Sequence, residues 1–201
     1  MGGFFMTKLY IVRHGQSQAN ANGILQGSKV DTPLTQTGIK QAFATKEALS
    51  DVSFSKVVAS PLLRAAQTAT IIAGADRTIT FDPRLVEYDY GSWDGMLEAD
   101  VWAKFPQYFD AKHNLLPNSW ETSGGDTYDE VKAKIAALFG DLVAKYPDEA
   151  VLVVSHGFTI KLMLDYVLGI NNLVNMNEPL NAAVSLVELT DSSQTLVYFN
   201  R

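Results

Sequence analysis

Runs of apolar, largely β-branched residues recur along the chain at 8–13, 56–59, near 78–81 and at 151–154. Each is short, and those at 9–12, 57–59 and 151–154 do not alternate with polar residues, the pattern of a strand covered on both faces. Between them the apolar spacing changes to a helical period. Thr35 can cap a helix over 36–50 that turns Ile39, Ala42, Phe43 and Leu49 inward. Ser60 followed by Pro61 predicts a helix over 61–73, which Gly74 ends. Thr127-Tyr128-Asp129-Glu130 is a capping box, and the helix it opens runs to about Tyr146 with Val131, Ile135, Leu138, Leu142 and Val143 on one face, stopped by Pro147. A helix over 157–168 follows the fourth run and has Gly169 just past its end. Two alternating runs, 183–189 and 194–199, predict a terminal hairpin turning at Asp191-Ser192-Ser193. Strands alternating with helices imply an α/β sandwich whose sheet is mainly parallel, with one antiparallel edge.

Residues 92–126 interrupt this alternation with Trp93, Met96, Trp102, Phe105, Tyr108, Phe109 and Trp120. They form either a lid that shapes substrate choice or a helical unit packed on its own core, and only a few of the aromatics are expected to touch a ligand. At 201 residues the whole chain, 1–201, is expected to be one domain carrying this lid-like insert. A hydrophobic content of 47% with 19% charged residues fits a globular protein. The net charge of −6 argues against nucleic acid and anionic membranes as partners. No cysteine is present, which removes disulfide and thiolate chemistry and is compatible with a cytoplasmic protein. No apolar run reaches transmembrane length, and Met1–Phe5 lacks the basic start of a signal peptide, so Met1 and Met6 both stand as possible native starts.

The candidate chemistry gathers after the strands. Leu9–Val12 leads straight into Arg13, His14 and Gly15, and Val151–Val154 leads into Ser155, His156 and Gly157. Ligands in open α/β sheets sit beyond the carboxyl ends of strands. If the two strands are neighbours, His14 and His156 face one crevice. Arg64 falls near the start of a helix, where the macrodipole disfavours a cation, so an anion sharing the site would explain it. The backbone N–H groups after His156 open another helix and offer a further anion site at Gly157.

These blocks resemble the histidine phosphatase superfamily, the phosphoglycerate mutase-like family. The resemblance rests on Arg13-His14-Gly15 with Asn20, Leu25-Gln26-Gly27, Asp31-x-Pro33-Leu34-Thr35-x-x-Gly38 and Ser60-Pro61-Leu62-x-Arg64-Ala65-x-Gln67-Thr68-Ala69. It continues through Leu85-x-Glu87, Gly91-x-Trp93-x-Gly95 and Val153-Val154-Ser155-His156-Gly157, so that it spans nearly the whole chain. It implies a three-layer α/β/α fold of the phosphoglycerate mutase type. It further implies His14 as the nucleophile that becomes phosphohistidine, Arg13, Arg64 and His156 as phosphate ligands, Glu87 as proton donor, and Asn20, Gln26 and Gly27 along the pocket. No cofactor and no metal are implied. The chain departs from the family at Ser28, where many relatives have Trp, and at Gly125-Asp126-Thr127, which replaces a common Gly-Glu-Ser.

The residue types suit phosphoryl transfer on physical grounds. Two guanidinium groups match a transition state with charge on three oxygens, and a neutral imidazole is a competent nucleophile. The leading expectation is a metal-independent phosphatase acting on small phosphorylated metabolites. A 2,3-bisphosphoglycerate-dependent phosphoglycerate mutase with the same site is the second reading, and a catalytically silent phospho-ligand binding module the third. His14, His156 and Glu87 as three zinc ligands compete with all of these, although the flanking arginines would repel a metal. His113, in a polar run, reads as structural or rim, and the aromatic insert and terminal strand leave a homodimer possible.

Overall fold

The computed structural model describes residues 5–74 and 76–201; the expectation about the native start falls on residues that lie partly outside them. Six strands form one sheet: β1 (Thr7–Arg13), β2 (Lys56–Ala59), β3 (Ile79–Phe81), β4 (Ala150–Ser155), β5 (Val184–Leu189) and β6 (Gln194–Tyr198). Their order is β3-β2-β4-β1-β5-β6. The first four of these run parallel, and β5 and β6 are antiparallel additions at one edge. This is the predicted mainly parallel sheet with its antiparallel edge.

Alternation along the central strands sorts their side chains to two helical layers. Leu9 and Ile11 of β1, with Val151 and Val153 of β4, pack against α6 (Tyr128–Lys145) and α7 (Gly157–Leu168) through Ile135, Leu138, Ile160 and Leu164. Val12, Leu152 and Val154 point the other way, to Ala65, Ala69 and Ile72 of α3 (Leu63–Ala73) and to Leu49 at the end of α2 (Gln36–Ala48). Each fully buried aliphatic contributes about 1.5–3 kcal/mol, which explains why the unalternating runs in the sequence sit at the centre of the sheet. Two of the three capping signals hold: Thr35 accepts from the Gly38 N–H at 3.0 Å, and Thr127 forms its capping box with Glu130.

Two expectations need correction. Phe43 does not face the core; it is 52% exposed, and α2 buries Gly38, Ala42 and Thr45 instead. The turn of α2 that meets the protein is therefore made of small residues that allow backbone contact. The third helix begins at Leu63, two residues later than expected, with Leu62 as an N-cap that has no side-chain hydrogen bond. Proline disfavours helical geometry in the residue before it, and the Ser60 hydroxyl still accepts from the Leu62 N–H at 3.3 Å.

The insert contains α4 (Glu98–Lys104) and α5 (Trp120–Ser123), with a short α1 (Gln18–Ala21) earlier in the chain, in the loop after β1. Trp93 stacks on Phe105 with centroids 4.9 Å apart and lies close to Tyr108 and Phe109, so most of the insert's aromatics pack on one another. No helix of the described residues is long and apolar enough to cross a membrane.

The loop after β1 is fixed by backbone-to-backbone packing on the start of α2. A Cβ at Gly38 would lie 2.1 Å from the Gln16 carbonyl oxygen, and one at Gly15 would lie 2.4 Å from that of Gly38. Neither neighbour is a side chain that can rotate away. Gly38→Ala is accordingly expected to destabilise the protein by about 2–3 kcal/mol, a fall in melting temperature on the order of 5–10 °C. An unchanged melting temperature by calorimetry would show that this contact does not hold the loop.

Candidate active site

The parallel pairing of β1 with β4 aligns Arg13 with Ser155. The next residue of each strand is a histidine, and the two imidazole rings lie 5.1 Å apart between centroids. Both are buried at the carboxyl ends of the strands. The expected crevice therefore exists. Its first wall is the loop after β1, where the Gly15 N–H donates to Thr68 Oγ1 of α3 at 3.0 Å.

His14 Nδ1 lies 2.7 Å from the Gly15 carbonyl oxygen. A carbonyl only accepts, so this contact requires the proton on Nδ1 and leaves the lone pair on Nε2. Burial, then Arg13 and Arg64, hold the pKa of His14 well below its ordinary value. His156 is depressed as well, by burial and by Arg64, His14 and Arg13. His156 Nε2 contacts the Ser60 hydroxyl at 2.7 Å. Ser60, read as a helix cap, lies at the end of β2, where its hydroxyl accepts from the Leu62 N–H ahead of α3 and also meets the His156 imidazole.

The arginines reach the site by different routes. Arg64 is fully buried on the first turn of α3, and its two terminal nitrogens donate to the carbonyls of Val30 at 3.0 Å and Gly27 at 3.1 Å. Those carbonyls, with Asp31 at 3.9 Å, offset the unfavourable helix end. Arg13 Nη1 donates to the Pro179 carbonyl at 2.6 Å and lies 3.4 Å from Glu178 Oε2. Gly157 is what lets these two side chains lie against the start of α7: a Cβ there would meet Glu178 Oε2 at 2.1 Å and the Arg13 guanidinium carbon at 2.9 Å.

Glu87 is buried beside the same helix end. Its Oε1 accepts from the Tyr88 N–H at 2.8 Å and the Thr159 N–H at 2.9 Å. Its Oε2 has only the longer 3.3 Å contact from the Phe158 N–H. Burial first, and Glu178 second, raise the pKa of Glu87 against the pull of Arg64 and the two N–H donors. With Oε1 committed as an acceptor, Oε2 is the oxygen placed to hold a proton. Ser155 and Thr159 fix the loop itself, their hydroxyls donating to the carbonyls of Leu85 at 2.9 Å and Val86 at 2.8 Å.

The remaining expected residues are less direct. The N–H groups of Phe158 and Thr159, read as an open anion site, are already directed at Glu87. Asn20 lies half-buried on α1, its Oδ1 accepting from the Ser17 N–H at 3.2 Å and Asn181 Nδ2 at 3.4 Å. Gln26 is occupied: its oxygen accepts from Ser17 Oγ at 2.5 Å and its nitrogen donates to Val30 and Thr32. Gly27 gives its carbonyl to Arg64 and takes Asp94 on its N–H at 2.7 Å. Gln26 and Gly27 thus shape the loop that holds Arg64 rather than offering free groups to a substrate. Among the described residues no three His, Cys, Asp or Glu side chains converge as a metal-holding group, so the zinc set of His14, His156 and Glu87 does not form.

Two contributors, Thr159 and Glu178, escaped the sequence reading, and a third, Thr68, was named without a role. Thr159 follows His156 by one helical turn and carried a signal in its spacing. Thr68, four residues after Arg64 on the same helix face, stood in the motif that carries the resemblance but had no role assigned to it. Glu178 carried no signal, because it approaches Arg13 from a segment 165 positions away in the chain.

Residues 9–201 match the family model described as histidine phosphatase superfamily (branch 1). Phosphoserine phosphatase 1 of Hydrogenobacter thermophilus is 32% identical over 167 residues, which cover 83% of this chain and 78% of that protein. A Bacillus subtilis protein named uncharacterized phosphatase PhoE is 30% identical over 196 residues, covering 97% and 95%. Among solved structures, mycobacterial glucosyl-3-phosphoglycerate phosphatase complexed with VO3 superposes with a TM-score of 0.82 at 28% identity, over 96% of this chain and 98% of that one. With two buried strand-end histidines set beside Arg13 and the buried Arg64, and a family match running through both, the chain belongs to the histidine phosphatase superfamily, branch 1.

Proposed function

We propose that the protein is a phosphatase that hydrolyses small phosphate monoesters through a phosphohistidine at His14. The observation that carries this reading is the state of His14: buried, held neutral between two guanidinium groups, with its Nδ1 proton tied to a carbonyl and its Nε2 lone pair left for attack. Relatives named as phosphatases support it.

In this mechanism Arg13, Arg64 and His156 hold the phosphoryl oxygens, with Asn20 at the margin and the Gly157 backbone allowing close approach. His14 Nε2 forms a bond to phosphorus as the bond to the ester oxygen breaks. Glu87 Oε2 gives its proton to that departing oxygen. Glu87, now a carboxylate, takes a proton from water as the water attacks phosphorus, which restores His14 and releases phosphate. The arriving dianion displaces Glu178 from Arg13, since a phosphoryl group offers bidentate partners that the 3.4 Å contact does not.

His14 must be unprotonated and Glu87 protonated. A lowered His14 pKa puts the loss of activity on the acid side below its ordinary 6.5, and a raised Glu87 pKa puts the alkaline loss above its ordinary 4.5. The kcat/KM profile for an alkyl phosphate is therefore expected to be bell-shaped. Glu87→Gln is expected to slow alkyl phosphates by about 10²–10⁴-fold while slowing 4-nitrophenyl phosphate far less, because a good leaving group departs unprotonated. Equal losses on both substrates would make Glu87 a structural group. Acid-labile, base-stable phosphate is expected on wild-type protein quenched during turnover and absent from His14→Ala; an adduct that persists in the variant would overturn the assignment.

Mutase activity is disfavoured because a bisphosphorylated intermediate needs a second set of cations. Residues 88–126 contain only Lys104, Lys112 and His113 as basic groups, and both lysines are exposed. Phosphate release from monoesters with little interconversion of 2- and 3-phosphoglycerate is expected, even with 2,3-bisphosphoglycerate present. Efficient interconversion without phosphate release would reverse the choice.

A further inference from the structure

The ring of His156 makes one hydrogen bond among the described residues, and that bond decides where its proton lies. Its Nε2 is 2.7 Å from the Ser60 hydroxyl oxygen, and both residues are fully buried. The same oxygen accepts from the Leu62 N–H at 3.3 Å. Either group of the histidine–serine pair has a form that donates. If the ring donates, the Ser60 oxygen accepts twice and its own proton has no acceptor among the described residues, while Nδ1 is left as a bare lone pair. If Ser60 donates, its proton is satisfied by the Nε2 lone pair, and the neutral ring carries its proton on Nδ1. The second arrangement leaves one buried polar group unpaired where the first leaves two, and each such group is costly.

The unpaired group is Nδ1. It is buried and has no hydrogen-bond partner among the described residues. His156 is the N-cap of α7, yet its side chain makes no capping hydrogen bond, because the Phe158 and Thr159 N–H groups are directed at Glu87. Those donors are therefore not available to a lone pair on Nδ1. Arg13 Nε and Arg64 Nε are buried without partners in the same way, and the charges of both arginines act on the His156 ring. The ring of His14 lies 5.1 Å away. With Nδ1 protonated, three unpartnered N–H donors border the crevice of the nucleophile, and one acceptor with several oxygens satisfies them together.

We propose that Ser60 is a positioning residue: its hydroxyl donates to His156 Nε2, fixes the ring as the Nδ1–H tautomer, and so makes His156 a hydrogen-bond donor to a phosphoryl oxygen. The proposal rests on the phosphatase reading above and deepens it. It also separates the roles of the two strand-end histidines. His14 holds its Nδ1 proton against the Gly15 carbonyl and offers Nε2 for attack. The Nε2 lone pair of His156 is taken by Ser60 and does not compete for phosphorus. One tautomer, anchored by two different partners, gives a nucleophile in one ring and a phosphate ligand in the other.

Long-range ¹H–¹⁵N NMR of histidine-labelled protein, above the ordinary His pKa of 6.5 and with His156→Ala to assign the signal, tests the assignment without turnover. In the wild type His156 is expected to be neutral, protonated on Nδ1 with the lone pair on Nε2, and its Nδ1 signal is expected to move on titration with orthovanadate. Ser60→Ala is expected to bring the Nε2–H tautomer into the spectrum and to weaken orthovanadate binding about 2–10-fold, the range of one hydrogen bond. A loss of affinity in Ser60→Ala with the tautomer unchanged would reduce Ser60 to a support for α3 through Leu62 and overturns the proposal. A wild-type ring protonated on Nε2, or an Nδ1 signal that orthovanadate leaves in place, overturns it as well. Should Ser60→Ala fail to fold, the wild-type spectrum and titration decide. Hydrolysis of 4-nitrophenyl phosphate, assayed alongside, reports on the phosphatase reading separately: turnover with His156 protonated on Nε2 removes only the role of Ser60, and the expected tautomer without turnover removes only the hydrolysis.

Discussion

The parallel register of β1 on β4 is the constraint on which the rest depends. Arg13 aligns with Ser155, so the two chains leave the sheet side by side and deliver their histidines to one place. Parallel strands cannot be joined by a tight turn; here 141 residues lie between the partners Arg13 and Ser155, space that holds β2, α3, the Glu87 loop and the insert. Each of these sends something back. The end of β2 contributes Ser60 to His156, α3 contributes Arg64, and the loop before the insert contributes Glu87. The apolar strands that fix the register are also the most buried part of the protein, so the geometry of the histidines is tied to the core.

Charge in this site is arranged by burial rather than by exposed ion pairs. Burial first, and the two guanidinium groups beside them second, lower the pKa of both imidazoles and favour their neutral forms. A carboxyl at the same helix end is pushed toward its protonated form. The surroundings within one crevice thus favour a neutral imidazole and a protonated carboxyl, the states that the proposed mechanism requires. An anion placed between the arginines would relieve the repulsion that they maintain. The net charge of −6 is no obstacle, since the local cations determine the potential where a phosphoryl group would sit.

Much of this was legible in the sequence, and what was not has physical reasons. Strands buried on both faces announce themselves as unbroken apolar runs, and the residue that follows such a run is at the sheet's carboxyl edge, which is how His14 and His156 could be paired before any coordinates. Capping boxes and glycine stops are local, so α6 and α7 were placed closely. Phe43 misled because a helix can turn its small residues inward when backbone must approach backbone, and periodicity weighs size over fit. Ser60 misled because serine before proline serves a helix cap and an imidazole partner equally well in sequence. Gln26 and Gly27 came from the family resemblance, and the structure gives them to the Arg64 loop. The approach of Glu178 to Arg13 depends on segments far apart in the chain, a proximity that no local pattern encodes.

The account stands on the protonation and tautomer of one ring. Long-range ¹H–¹⁵N NMR of selectively labelled histidine reads both directly, with His14→Ala to assign the signal. At pH 6.5, the ordinary His value, His14 is predicted to be neutral with its proton on Nδ1 and a lone pair on Nε2. An imidazolium at that pH, or a neutral ring protonated on Nε2, would contradict the nucleophile assigned to this site.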